Sequence, residues 1–186
     1  MCTHFYDASV PVFVRYLERT SGLVSVAASH ARATGRSPHE ILEARLVSGM
    51  LPFQSQVEIA ANFSLRTCFP LVGQAVPPYG EFPSTLEGLC ARLARASAMV
   101  SALQPEQFEG AELRVVRDTA GQAALALSAT EFLFQYALPN FFFHVSAAYA
   151  ILRSLGACLG KEQFDGFHSY PPMSSNLMHH DSRRRN

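Results

Sequence analysis

Between Gly121 and Leu152 the chain carries a single formal charge, Glu131. So apolar a run must leave water, either by crossing a membrane or by burial in a protein core. A spanning helix wants about 20 mostly apolar residues in succession. Here Gln135, Pro139, Asn140 and His144 interrupt the run. The reading is therefore a buried helix pair in a soluble protein, with a few polar side chains inside.

Charge and length agree with that reading. Only 16% of the residues are charged and 48% are hydrophobic, against about 25% charged in an ordinary domain. That excludes disorder over most of the chain, and 186 residues suit one domain with a real core. Fifteen Lys and Arg balance fifteen Asp and Glu, so no net field exists to hold a phosphate backbone, and nucleic-acid binding is not expected. The N-terminus lacks the basic and apolar regions of a signal peptide. The four cysteines form no C-x-x-C pair. Cys68, Cys90 and Cys158 read as small core residues, and a reduced, cytoplasmic protein without a membrane span is the expectation.

Helix signals recur along the chain. Asp7 is a candidate cap, with Pro11 in the first turn and apolar residues at Val10, Val14, Leu17, Val24, Ala28 and Ala31 up to Gly35. Ser37, Pro38 and Glu40 make a capping box that starts a short helix, expected to fade at Ser48 and Gly49. Pro52 opens the next helix, whose face is Phe53, Val57, Ala60, Phe63, Thr67 and Leu71. Residues 73–83 hold two Gly and three Pro and read as a crossover linker. Ser84 with Glu87 suggests another capping box, followed by the stripe Leu86, Leu89, Cys90, Leu93, Ser97, Val100 and Leu103.

The period then shortens to two. Leu113 and Val115 alternate with polar neighbours, residues 118–121 have turn chemistry, and Leu125 and Leu127 alternate again. This predicts a small β-hairpin. Ser128 and Glu131 cap a last helix, expected to break before Pro139 and resume to Gly156. The fold class is all-α: a four-helix bundle over residues 1–168 with a hairpin before the last helix. The tail, 169–186, is Pro/Ser-rich and then basic, and is expected to be disordered.

The last helix carries a resemblance. Residues 137–144 (ALPNFFFH), 148–153 (AYAILR), Leu159-Gly160-Lys161 and Phe164-Asp165-Gly166 resemble a domain-of-unknown-function family, number nineteen-ninety-three, itself related to the DinB/YfiT-like metalloenzymes. Tyr6-Asp7, Val10-Pro11-Val12-Phe13, Ala44-Arg45-Leu46, Met50, Pro52, Phe53, Gln56, Val57 and residues 107–111 extend it over about residues 5–166. The resemblance implies a DinB-like four-helix bundle, often a homodimer, with bacterial members and fungal ones near small-molecule biosynthesis. Where the family usually has an acidic residue before the methionine, this chain has Gly49 before Met50.

DinB-like enzymes hold a divalent metal with three histidines, two of them in an H-x-x-x-H pair on a late helix. The histidines here are His4, His30, His39, His144, His168, His179 and His180, and no two are four apart. Asn140 and Ala148 flank His144 at that spacing, and Gln56 stands where an early ligand would. Neither metal nor cofactor is expected. A Ser nucleophile elbow, a P-loop and a dinucleotide fingerprint are also missing.

What remains is a polar row. Tyr136, Asn140 and His144 recur at i, i+4 and i+8, with small or apolar residues beyond, and the helices opposite offer Gln56, Asn62, Met50 and Tyr6. His144, Tyr136 and Gln56 are the candidate catalytic groups, able to polarise a carbonyl. Asn140, Tyr6, Met50, Asn62, Phe141, Tyr149 and Arg153 are candidate substrate contacts, although Arg153 also suits a helix C-terminus. The expected function is a cofactor-free isomerase or cyclase of secondary-metabolite type, which folds an apolar substrate inside the bundle. Two alternatives stand: a non-catalytic small-molecule-binding or dimerisation module in which His144 is a satisfied core histidine, and a divergent DinB-like metal-dependent transferase.

Overall fold

A computed structural model describes residues 4–169, and the expectation for the C-terminal tail lies outside the described residues. Four long helices build the fold: α2 (Val10–Thr34), α4 (Phe53–Leu71), α5 (Leu86–Ser101) and α7 (Leu138–Ser154). Short helices α1 (His4–Asp7), α3 (Pro38–Glu43), α6 (Ala129–Glu131) and α8 (Lys161–Asp165) decorate them. Helix α2 packs on α5, α4 packs on α7, and α4 and α5 close the bundle. The whole expected α4 face, Phe53, Val57, Ala60, Phe63, Thr67 and Leu71, is buried. Helix α2 buries Val10, Phe13, Leu17, Leu23, Val24, Ala27 and Ala31, and stops at Gly35 with φ +69°, the left-handed conformation that ends helices.

Local chemistry sets most boundaries. Both capping boxes at Ser37–Glu40 and Ser128–Glu131 form, with each serine hydroxyl accepting from the glutamate amide. The cap of α5 differs from expectation. Thr85, not Ser84, is the N-cap, and its hydroxyl accepts from the Gly88 amide at 3.0 Å. Ser84 instead accepts from Gln54 Nε2 of α4 at 3.1 Å. Gly88 is needed for packing, since a Cβ there would lie 1.9 Å from the Pro83 carbonyl oxygen.

Three further expectations are corrected. Asp7 does not cap α2: the chain already turns helically at α1, and Ser9 occupies the cap position. Helix α3 ends at Glu43, because Ala44 goes extended, and Arg45 Nη1 donates to the Met50 carbonyl at 2.7 Å across the loop that follows. The helix does not break before Pro139. A π-helical turn over Phe132–Ala137 joins α6 to α7, with the Leu138 amide donating five residues back to Leu133. Pro139 thus falls in the first turn of α7, where a missing N–H costs little.

The hairpin pairs β1 (Val115–Ala120) with β2 (Ala123–Ser128), antiparallel. Its turn is Gly121-Gln122, later than expected, with positive φ at Gly121, as a two-residue hairpin turn demands. The facing of β1 is inverted as well, while β2 alternates as expected, with Leu125 and Leu127 half-buried beside exposed Ala124 and Ala126. Leu113 is 84% exposed in the turn before the strand, Val115 is exposed, and Val116 is buried at 3% opposite Leu127. A strand has period two, so a start one residue later exchanges its faces.

Candidate functional site

Helices α4 and α7 bring His144 to Gln56. His144 Nδ1 lies 2.6 Å from Gln56 Oε1. Gln56 Nε2 donates to the Leu51 carbonyl at 3.1 Å. These two bonds fix the protons. The Gln56 amide nitrogen is committed to Leu51, so its oxygen faces the ring and accepts. Nδ1 must therefore carry the hydrogen, and Nε2 is left with a lone pair. No partner for Nε2 is found among the described residues. Gln56 is 1% exposed and His144 9%. Burial holds the imidazole below its usual range, so it is neutral at pH 7.

Aromatic rings frame the imidazole. Phe63 stacks on it with centroids 5.9 Å apart and 25° between planes. Phe143, itself 55% exposed, meets it edge-on at 5.2 Å. Tyr136 meets the Phe63 ring at 5.8 Å. Burial raises the Tyr136 hydroxyl pKa, helped by Asp118 and opposed by Arg66. Asn140, between them in sequence, turns inward on its own helix: its Nδ2 donates to the Tyr136 carbonyl at 2.7 Å. That bond satisfies an acceptor beside the π turn.

Other candidates go elsewhere. Asn62 Oδ1 accepts from the Tyr79 hydroxyl, which in turn accepts from Arg92 Nη1 at 2.7 Å. That chain ties the 73–83 linker to the bundle. Tyr6 packs against Phe108. Phe141 is a core residue, edge-on to Phe13 at 4.8 Å. Met50 holds Arg45 through its carbonyl. Arg153 Nη1 donates to the Leu159 carbonyl at 2.5 Å and closes the turn after α7. Tyr149 packs on Phe164 and, with Ser146 and Lys161, lines a hollow of about 400 Å³. At 100° per residue, Tyr149 and Ser146 point away from the His144 face of α7. Of the cysteines, Cys68 is buried, and burial pushes its thiol far up; Cys90 is half-buried and Cys158 exposed, so only the first is the core residue expected.

The sequence reading missed Arg66 and Asp118. Arg66 Nη2 bonds Asp118 Oδ1 at 2.5 Å and the Thr119 carbonyl at 2.9 Å. Its guanidinium carbon lies 5.2 Å from the Phe63 ring centroid. Gln56, Phe63 and Arg66 share one side of α4 at i, i+7 and i+10, a signal that could have found Arg66. Nothing local points to Asp118, which arrives from the hairpin.

The donor set does not fit the metal of DinB-like enzymes. His144 Nδ1 is spent on a carboxamide, and no group of three His, Cys, Asp or Glu side chains converges among the described residues. A divalent transition metal wants three such donors.

A family profile described as "Domain of unknown function (DUF1993)" matches residues 5–165. No curated protein matches the chain. Among solved structures, a DinB family member protein from Shewanella denitrificans is similar at 25% identity and a TM-score of 0.80, over 92% of this chain and 99% of that one. The bundle is therefore DinB-like in fold, and no helix among the described residues is long and apolar enough to cross a membrane.

Proposed function

The chain belongs to the DUF1993 family, and from that premise we propose that it is a metal-independent isomerase- or cyclase-type enzyme in which His144 is the base acting on an apolar small molecule. The observation that carries this reading is the oriented imidazole. Its Nδ1–H is fixed on Gln56, so the Nε2 lone pair is fixed too. A neutral imidazole at pH 7 accepts a proton without first losing one. It can take a proton from one carbon and return it to another, which is an isomerisation that consumes no oxidant, reductant or co-reactant. The same lone pair can hold a hydroxyl while a flexible substrate folds for cyclisation, where orientation does most of the work.

The surroundings favour an apolar substrate. Phe63 and Phe143 flank the ring. The loop that ends at Leu51 exposes Leu46, Val47 and Leu51, and it is bonded to the site through the Leu51 carbonyl. An exposed apolar loop tied by its backbone to a directed polar pair suits a small-molecule site.

Binding of 2-naphthol, a flat apolar molecule with one hydroxyl donor, tests the reading by fluorescence. The wild type is expected to bind it. His144→Ala is expected to weaken binding by the folded protein about tenfold, the worth of one hydrogen bond of about 1.4 kcal/mol, on top of a lower melting temperature, since the buried Gln56 Oε1 loses its partner. If the folded His144→Ala protein binds unchanged and only melts earlier, the histidine is a core tie and the enzyme reading fails.

A further inference from the structure

We propose that the hollow between α7 and α8 is a second binding site, and that it takes a small aromatic carboxylate. It stands apart from His144, which occupies another face of α7.

The walls come in pairs. Ser146 and Tyr149 stand three residues apart on α7, and Lys161 and Phe164 three apart on α8. Residues at that spacing are neighbours on a helix surface. The four line one space of about 400 Å³, and each helix contributes one aromatic ring and one polar group. Ligand pockets run from about 300 to 1,000 Å³. This one lies near the lower end, with room for one or two fused rings.

The aromatic walls are braced. Tyr149 meets Phe164 edge-on with centroids 5.8 Å apart, and Tyr16 of α2 also meets Phe164, at 5.7 Å. Tyr16 in turn packs edge-on against Phe142 of α7 at 4.8 Å. Both ends of α8 are pinned. Gln163 Oε1 accepts from the Gly160 amide at 2.6 Å, and Asp165 Oδ1 accepts from the Phe167 amide at 2.8 Å. Walls set in advance lower the ordering cost of binding.

The polar groups are unspent. Among the described residues Lys161 makes no hydrogen bond or ion pair, and the Ser146 and Tyr149 hydroxyls make no hydrogen bond. Arg153 of α7 and Arg15 of α2 are by contrast committed to the Leu159 and Asp165 carbonyls. No carboxylate lines the hollow, so the only formal charge on its walls is the Lys161 ammonium. One positive charge matches a monoanion. A carboxylate offers two oxygens, one for the ammonium and one for a hydroxyl, and an aromatic ring behind it fills the space between Tyr149 and Phe164. A phosphate dianion would want a second cation.

Calorimetric titration of the full-length protein with 2-naphthoate, and with 2-naphthamide as its uncharged counterpart, is the test. The wild type is expected to bind the carboxylate about fivefold tighter than the amide, the worth of one exposed ion pair, and to lose that margin as salt rises. Lys161→Gln should bind the two alike, while Lys161→Arg keeps the margin. Ser146→Phe puts a ring into the hollow and should abolish binding of both. Melting is recorded for each variant, and Lys161→Gln, an exposed change, judges the site if Ser146→Phe unfolds. Equal binding of carboxylate and amide by the wild type, or a margin that survives Lys161→Gln, would overturn the carboxylate. Naphthoate binding unchanged in folded Ser146→Phe would overturn the hollow, and no binding by the wild type would overturn the site altogether. The His144 reading is judged separately by 2-naphthol, which Lys161→Gln should bind as the wild type does.

Discussion

Two helix seams of this bundle are built on different principles. Helices α2 and α5 meet through Leu17, Leu89, Leu93, Ala96 and Val100, all buried and apolar. Their outer groove is lined with Glu18 and with Ser21, Ala94, Ser97, Ala98 and Ser101, the last five small groups that let the helices approach. Helices α4 and α7 meet through Phe63 and a buried imidazole–carboxamide pair. The first seam gains stability from every contact. The second places polar groups where apolar ones of equal volume would hold as well or better. A buried polar pair with one lone pair left over is a poor way to join two helices, and the role proposed for His144 would account for it.

The largest expected effect breaks the apolar seam. Leu93→Ala should destabilise by about 2–5 kcal/mol through lost burial and a cavity, read by urea unfolding, while the affinity of the folded protein for 2-naphthol stays unchanged. A loss of affinity greater than unfolding explains would show that the two seams are coupled.

A smaller effect dissects the polar seam. Gln56→Leu should cost about 1–3 kcal/mol, since the His144 Nδ1–H and the Leu51 carbonyl lose their partner. The double variant Gln56→Leu with His144→Phe should recover part of that loss in the same unfolding series, because no imidazole donor is then left unpaired. A double variant that only adds the two single losses would argue that the pair contributes net stability. Next in size is Thr85→Ala, a lost cap expected to cost about 1 kcal/mol and to leave the site untouched; Ser84→Ala should cost less.

The smallest concerns pH. Burial places the folded His144 below the unfolded value of about 6.5. Between those two values the unfolded chain binds more protons, so stability rises with pH there. The contribution is fully present above about 6.5 and is lost as pH falls through the folded value. His144→Phe should flatten that part of a stability-against-pH curve. An unchanged slope would mean that burial does not perturb the imidazole.

Much of this is legible in the sequence alone. The α4 face, the Gly35 stop, two capping boxes and the hairpin follow from spacing within a few residues, where the chain interacts with itself locally. The errors are also local competitions. Thr85 takes the cap from Ser84 because Ser84 has a partner on α4. Pro139 leaves the helix whole because a π turn absorbs it. The polar row and the helix opposite it point to His144 and Gln56. That they bond, and which nitrogen keeps its lone pair, depends on the Leu51 carbonyl, which no periodicity locates.

The sequence by itself determined where helices start, which faces are apolar, and that no histidine pair is spaced for a metal, since these depend on neighbours within one or two turns. The tertiary structure decided the rest. It set the tautomer of His144, moved Asn62, Met50, Tyr149 and Arg153 to other duties, and carried Asp118 from the hairpin to Arg66. Those outcomes depend on how separate elements dock, and docking is fixed by the shape of the whole core, to which each residue contributes a small share.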